Sequence, residues 1–295
     1  MNYYESIKEK LIDNEIYSRV KDYSKERNRL TTYYEVGKLL SEAGKRYGDG
    51  IIKSYSKKLT LELGKGYTYT SLSRMRQFYN LNINVATMSQ QLTWSHFVEL
   101  LSIKDKNIII YYIDLIKNKR LTIRELRNKI KSKEYERLPE VTKDKLINRE
   151  ENSIIDLVPN PIIIRNPNNI EVISEKVLKR LILEDLEFFM GELGNGFAYI
   201  GNEYKIKIGN SYNYIDILLF NVEYNCYVVV ELKITSLKKE HIGQIMIYMN
   251  YIDKNVKKIF QDKTIGIIVS REDNKYIVEY SSDRRIISRN YMFTY

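Results

Sequence analysis

Apolar and polar positions alternate with two different periods along this chain, and the change falls near its middle. Residues 24–43 carry apolar side chains at helical spacing, with Gly44 placed to stop the helix. Residues 70–79 read as a capped helix with Arg74 and Arg76 on its first turns, and 95–101 and 104–117 as further helices. Residues 121–131 predict another, with Thr122 available as its cap. In the second half, 175–193 predict one long apolar helix ended by Gly194. Short apolar runs then follow at 197–200, 204–208, 214–220 and 227–233, separated by turn residues such as Gly209-Asn210 and Glu223-Tyr224-Asn225, as in a hairpin meander. A helix over 239–260 and a buried strand over 264–270 complete a plan of α/β or α+β type with mixed strand directions.

The two halves meet in a proline-rich window. All four prolines, Pro139, Pro159, Pro161 and Pro167, lie there, and proline both removes a backbone donor and disfavours helix in the residue before it. Three segments are expected: a helical unit over 1–138, a Pro/Asn-rich connection over 139–173 with a short strand at 162–164, and a second domain over 174–295.

Charge separates the halves as well. Residues 1–150 hold 30 Lys and Arg against 19 Asp and Glu, whereas 151–295 hold 18 against 19, so the whole net charge of +10 comes from the first half. Clustered cations gain affinity for phosphates by releasing condensed counterions, which points to a polyanion-binding module. Arg74 and Arg76 are candidates for contact with phosphates or base edges, and Arg124 and Arg127 for a second contact within the basic stretch 117–149. No apolar run is long enough to cross a bilayer, and the start of the chain lacks the apolar core of a secretory signal. The single Cys226 allows no internal disulfide and suggests a reducing, cytoplasmic setting.

Candidate chemistry sits where strand 227–233 ends in Glu231-Leu232-Lys233. Glu231 and Lys233 lie two residues apart and so share a face, and Asp216 lies among apolar neighbours on the preceding strand. If the two strands pair through the turn near 223–225, Asp216 and Glu231 converge. Hydrolysis of a phosphodiester by metal ions needs such carboxylates with a cation beside them. The same Glu-x-Lys spacing recurs at Glu203-Tyr204-Lys205, on an alternating strand that looks like an ordinary solvated face. On the following helix His241, Gln244, Tyr248 and Tyr251 form one stripe and Ile242, Ile245, Met246, Met249 and Ile252 another. His241 reads as a residue of the helix start, and Trp94-Ser95-His96 as a packed Trp beside a surface or capping His rather than a catalytic pair.

Asp216, Glu231-Leu232-Lys233 and Gln244-x-x-x-Tyr248 resemble the PD-(D/E)XK nuclease superfamily in its Gln-x-x-x-Tyr form. The stretch from Phe189 to Lys233 with HIGQIMIYMN after it, and SLSRMRQFYNL, QLTWSHFVELL and LTIRELRNKIKSKEYERL in the first half, resemble the YhcG-like family of bacterial and phage proteins. The resemblance implies a winged-helix-like, helical DNA-binding domain and a restriction-endonuclease-like domain with a mixed sheet flanked by helices. It also implies Mg2+-dependent cleavage of DNA, with Mn2+ able to substitute, and a link to restriction or mobile-element biology with partner proteins of such a system. Asp216 and Glu231 would be metal ligands, Lys233 would stabilise the attacking water or phosphate, and Gln244 and Tyr248 would orient the site. A Glu from the first helix would complete it, for which Glu187 is chosen over Glu184; Glu192 reads as a helix-end residue. Ile215 stands where the motif's name has proline. Cutting both strands of a duplex makes a homodimer an expectation. The alternative is a non-catalytic DNA-binding or adaptor protein on a nuclease-like fold.

Overall fold

A computed structural model describes residues 2–19, 25–48, 50–83, 92–272, 277–278 and 283–295. It divides into two units, Met1–Ser132 and Lys133–Tyr295.

Among the described residues the first unit is built of helices: α1 (Tyr3–Arg19), α2 (Lys25–Tyr47), α3 (Gly50–Leu63), α4 (Tyr69–Asn80), α5 (Trp94–Leu100), α6 (Lys106–Lys119) and α7 (Ile123–Lys131). No strand pair of the kind a wing would need is found among them. One core gathers Ile7, Leu11, Val36, Leu40 and Leu72, and a second gathers Phe78, Phe97, Ile109, Tyr112 and Leu126, with Tyr33 and Trp94 packed against both. Helix α2 does not stop at Gly44 but runs three residues further, because Leu40 and Ala43 are fully buried and their packing outweighs the roughly 1 kcal/mol that an interior glycine costs. The left-handed backbone that ends it is at Gly48, with φ +81°. Thr68, two residues before the expected start at Thr70, caps α4, and Thr122 caps α7 in a reciprocal box with Glu125.

The second unit begins with a 3-10 turn (Tyr135–Arg137) and α8 (Glu140–Asn148), which leads to β1 (Ile162–Arg165). Then come α9 (Glu175–Glu184), α10 (Leu186–Leu193), β2 (Phe197–Ile208), β3 (Ser211–Asn221), β4 (Cys226–Ser236), α11 (Lys239–Asn255), β5 (Asp262–Glu272) and β6 (Ile286–Thr294). The six strands form one sheet in the order β1-β6-β5-β4-β3-β2. The meander β2-β3-β4 is antiparallel, and β4, β5, β6 and β1 pair in parallel, so the sheet is mixed.

These strands feed two cores, by alternate positions along most of their length and with the alternation broken between Ile215 and Ile217. Ile217, Leu219, Val228, Val230 and Leu232 pack with Leu178, Leu181 and Ile182 of α9 and Phe189 of α10. Ile215, Leu218, Val229 and Ile268 pack with Ile245, Tyr248, Met249 and Ile252 of α11. The single helix expected over 175–193 is broken at Asp185, whose backbone leaves the helical region and whose carboxylate accepts from the Phe188 N–H at 3.4 Å, restarting the chain as α10. Glu192 is more than a helix-end residue. Its carboxylate is 6 % exposed, pairs with Arg137 at 2.7 Å and accepts from the Ile163 N–H at 3.1 Å. A buried ion pair with these added hydrogen bonds ties the entry of the unit to α10 and β1.

Candidate active site

Pairing between β3 and β4 runs from Asn221↔Cys226 to Ile217↔Val230 and stops there. Asp216 and Glu231 are the next residues on the two strands, at the point where the ladder opens. The Asp216 side chain replaces the missing backbone partner: its Oδ2 accepts from the Leu232 N–H at 3.0 Å. A run of β-branched residues, Val228-Val229-Val230, carries Glu231 into the interior, where it is 2 % exposed.

Burial sets the chemistry of Glu231. Desolvation and then the charge of Asp216 raise its pKa to about 7, against the opposing pull of Lys233. Its Oε2 lies 3.4 Å from Lys233 Nζ, and its Oε1 is buried without a hydrogen-bond partner. A buried carboxylate oxygen left unpaired beside a second carboxylate is costly unless a cation serves it. The two carboxylates at a strand end are hard oxygen donors of the kind that suits a divalent ion such as Mg2+ or Mn2+. These residues fit such an ion. Among the described residues no cluster of three or more His, Cys, Asp or Glu is gathered for one.

Two further residues reach the site that sequence reasoning missed. Lys179 of α9 donates to Asp216 Oδ1 at 2.8 Å and forms an ion pair with Glu203 of β2. Burial pulls its pKa down, but the hydrogen bonds to Asp216 and Glu203 outweigh burial and raise it. Glu203 sits between Asn202↔Ile217 and Tyr204↔Ile215 in the ladder, opposite Asp216, with a left-handed φ of +48°. The Glu-x-Lys that looked like a solvated face therefore begins at the edge of the site. No local pattern announced this, because Lys179 and Asp216 are 37 residues apart. An open cleft of about 360 Å³ lies alongside, lined by Lys176, Lys179, Arg180, Glu184 and Glu203 among others.

On α11, Gln244 Nε2 donates to the Tyr248 hydroxyl at 3.0 Å, and Tyr248 is buried against the core shared with β3 and β4. The hydrogen bonds of this pair do not extend to the carboxylates. His241 Nδ1 accepts from the Lys238 N–H at 3.2 Å, as a helix-start residue should, and burial followed by the charge of Lys233 lowers its pKa. Glu187 is exposed on the first turn of α10, outside the contacts of Asp216, Glu231 and Lys233, and Glu184 is paired with Arg180. Glu175, on the face of α9 that bears Lys179 one turn on, is near enough for its charge to act on His241.

In the first unit Arg74 of α4 and Arg127 of α7 come together around Glu99 of α5. Arg127 binds Glu99 at 2.6 Å, and its hydrogen bond, followed by the charges of Arg127 and Arg74, holds the Glu99 carboxyl below its usual range despite partial burial. Arg124 is exposed on α7, and Arg76 is half-buried on α4. His96 is buried, with Nδ1 accepting from the Thr93 N–H and Nε2 bonded to the Leu121 carbonyl at 3.0 Å, so it is a capping residue with no catalytic partner in Ser95.

Comparison with known proteins finds a family model similar to each part of the chain. Residues 163–293 match the family model for the YhcG PDDEXK nuclease domain, and residues 12–137 match that of the DUF1016 N-terminal domain. "Putative nuclease YhcG" of Escherichia coli (strain K12) is 26 % identical over 286 residues, covering 82 % of this chain and 76 % of that protein. Among solved structures, a repair endonuclease from Pyrococcus abyssi is matched at 19 % identity and a TM-score of 0.29, over 41 % of this chain and 48 % of that one.

Proposed function

We propose that this chain, a DUF1016 N-terminal domain joined to a YhcG PDDEXK nuclease domain, is a DNA endonuclease that hydrolyses phosphodiester bonds with a divalent metal ion. The observation that carries the reading is Glu231. A carboxylate 2 % exposed, with one oxygen unpaired, flanked by Asp216 and Lys233 at an opening in the sheet, is an expensive arrangement with no structural return. Asp216 and Glu231 would hold Mg2+ or Mn2+. Such an ion polarises the phosphoryl oxygen and lowers the pKa of bound water.

The chain's own residues supply the rest. Lys233, 12 % exposed and anchored on Glu231, keeps a positive charge at the mouth of the site for a phosphate oxygen or the attacking water. The Leu232 N–H fixes the Asp216 carboxylate in its rotamer, so one wall of the site is set before substrate arrives. Gln244 and Tyr248 brace each other on α11 and orient the helix start that carries His241 towards Lys233. The basic excess of the first half, with Arg74 and Arg127 gathered on one group, supports that half as the DNA-binding part. Action in the cytoplasm, within restriction or mobile-element biology and as a pair of chains for duplex cleavage, completes the proposal. An adaptor with a nuclease-like fold would have no use for a buried carboxylate with an unpartnered oxygen at Glu231.

Purified protein incubated with DNA forms in Mg2+ or Mn2+ tests this, beside Asp216→Asn and Lys233→Met. Cleavage that is lost on chelation and falls by at least about a hundredfold in both variants is expected. Undiminished cleavage in both would overturn the site. Absence of metal-dependent cleavage on single-stranded, duplex and branched DNA alike would favour the adaptor.

A further inference from the structure

The β2–β3 hairpin is longer than the sheet that holds it. Pairing of β3 with β4 ends at Ile217, whereas pairing of β3 with β2 continues to Ile208↔Ser211. Residues 204–215 thus form a two-stranded arm beyond the opening of the site. One face of the arm is apolar and accounted for: Ile206 and Ile215 are buried, and Tyr204 and Ile208 pack on the same core as α11.

The other face is exposed and has a composition that solvation alone does not call for. Lys205 lies directly across from Tyr214, and Lys207 across from Tyr212. Tyr212 and Tyr214 are 56 % and 48 % exposed, and the Lys205 ammonium sits 3.8 Å from the centroid of the Tyr212 ring, bracing it. Next along β3 after Tyr212 and Tyr214 comes Asp216, and next along β2 after Lys207 and Lys205 comes Glu203, where the left-handed backbone of Glu203 interrupts the regular pairing. Lys179 binds both of these carboxylates and closes the end of the stripe. A ladder of two cations and two exposed aromatic rings, one with a lysine over one of its faces, leads towards the catalytic group over about 14 Å from Tyr212 to Asp216 at ordinary strand rise, the span of a few nucleotides.

We propose that this arm seats an unpaired nucleic-acid strand and leads it to Asp216. The inference rests on the nuclease reading for what the strand is delivered to. Exposed rings stack on bases whose faces are open, which a duplex interior does not offer, while lysines at alternate positions follow one phosphate backbone. The substrate favoured at the site is then single-stranded DNA or the unpaired flank of a branched or frayed duplex. The Lys-x-Lys and Tyr-x-Tyr rows give this stretch its function, and the Glu203-Tyr204-Lys205 pattern is its inner end.

The test uses the full chain bearing Asp216→Asn to silence cleavage, with chelator present. Fluorescence anisotropy is read on labelled oligo-dT and on a blunt duplex of equal length. Tyr212→Ala with Tyr214→Ala is expected to weaken oligo-dT binding by roughly tenfold or more, with duplex binding within about twofold, while Tyr212→Phe with Tyr214→Phe retains affinity. Lys205→Gln with Lys207→Gln is expected to flatten the log–log salt slope for oligo-dT by about 1.4. Unaltered oligo-dT affinity in the alanine pair, or equal losses for oligo-dT and duplex, overturns the inference. The nuclease reading fails separately: an arm that binds oligo-dT as described in a protein that cuts no DNA leaves the seat standing and removes the enzyme.

Discussion

A single histidine shows how tertiary context sets the properties of a residue. Burial disfavours the charged form of His96, and its Nδ1 already accepts the Thr93 N–H, so a second proton there would face a donor. Its pKa is therefore lowered from the usual 6.5, burial being the largest cause and the Leu121 carbonyl opposing it. The sign follows from proton uptake. The unfolded chain takes this proton near pH 6.5 and the folded chain only at lower pH, so the contribution of His96 to stability is full above 6.5 and is lost as pH falls towards the folded pKa, by at most about 1.4 kcal/mol per pH unit. The chain has only two histidines, so NMR titration of His96, assigned with a His241→Asn variant, is expected to show a midpoint below 6.5. A midpoint at or above 6.5 would contradict this account. Residue-scale legibility was uneven in the same way. Asp216, Glu231 and Lys233 could be read because a charge in an apolar strand is anomalous in the chain itself. Lys179 could not, since a lysine on an amphipathic helix is ordinary until the helix is laid across β3.

At the scale of elements, close approach explains more than propensity does. A Cβ on Gly37, in the middle of α2, would lie 2.1 Å from the Met75 carbonyl oxygen of α4. Alanine is the better helix former by about 1 kcal/mol, yet here it would push against backbone that cannot yield. We predict that Gly37→Ala destabilises the protein by about 1–3 kcal/mol, measured by urea unfolding, whereas Gly191→Ala in α10, where an added Cβ meets nothing within 4 Å, is neutral or stabilising. The pair of variants matters, because a gain at both positions would show that α2 and α4 do not touch at Gly37. Element boundaries failed to be legible for a related reason. Gly44 looked like a stop and Asp185 did not, but burial of Leu40 and Ala43 carries α2 past the first, and the Asp185 side chain breaks the second helix. Strand β6 was not foreseen, since Ile286-Ile287-Ser288-Arg289-Asn290 has no clean alternation and is made a strand by its parallel neighbours β5 and β1.

Over the whole molecule, charge is the property that distributes labour. The basic excess lies within residues 1–132, and 1–132 and 133–295 are distinct compact units, one with helices among its described residues and one with the sheet and the carboxylates. If the first binds DNA through phosphates, affinity of the full chain must fall linearly on a log–log plot against salt, by roughly 0.9 per phosphate contact on duplex DNA. Arg74→Gln with Arg127→Gln is expected to lower that slope by up to about 2 and to weaken binding about equally across sequences, as filter binding or anisotropy over a salt series will show. A slope unchanged by the double variant would remove these two residues from the interface.

By itself the sequence determined the alternation of the meander, the charge asymmetry and the Asp216/Glu231/Lys233 set, because each is a local pattern: period two, a count of charges, and polar residues where apolar ones are required. Tertiary structure decided the rest. It placed Lys179 on Asp216, turned Glu203 from a surface residue into a neighbour of the site, and left the Lys-Tyr face of the hairpin standing clear of the sheet at its mouth. Those outcomes depend on which elements are laid against which, and contacts between residues far apart in the chain leave no periodicity in it.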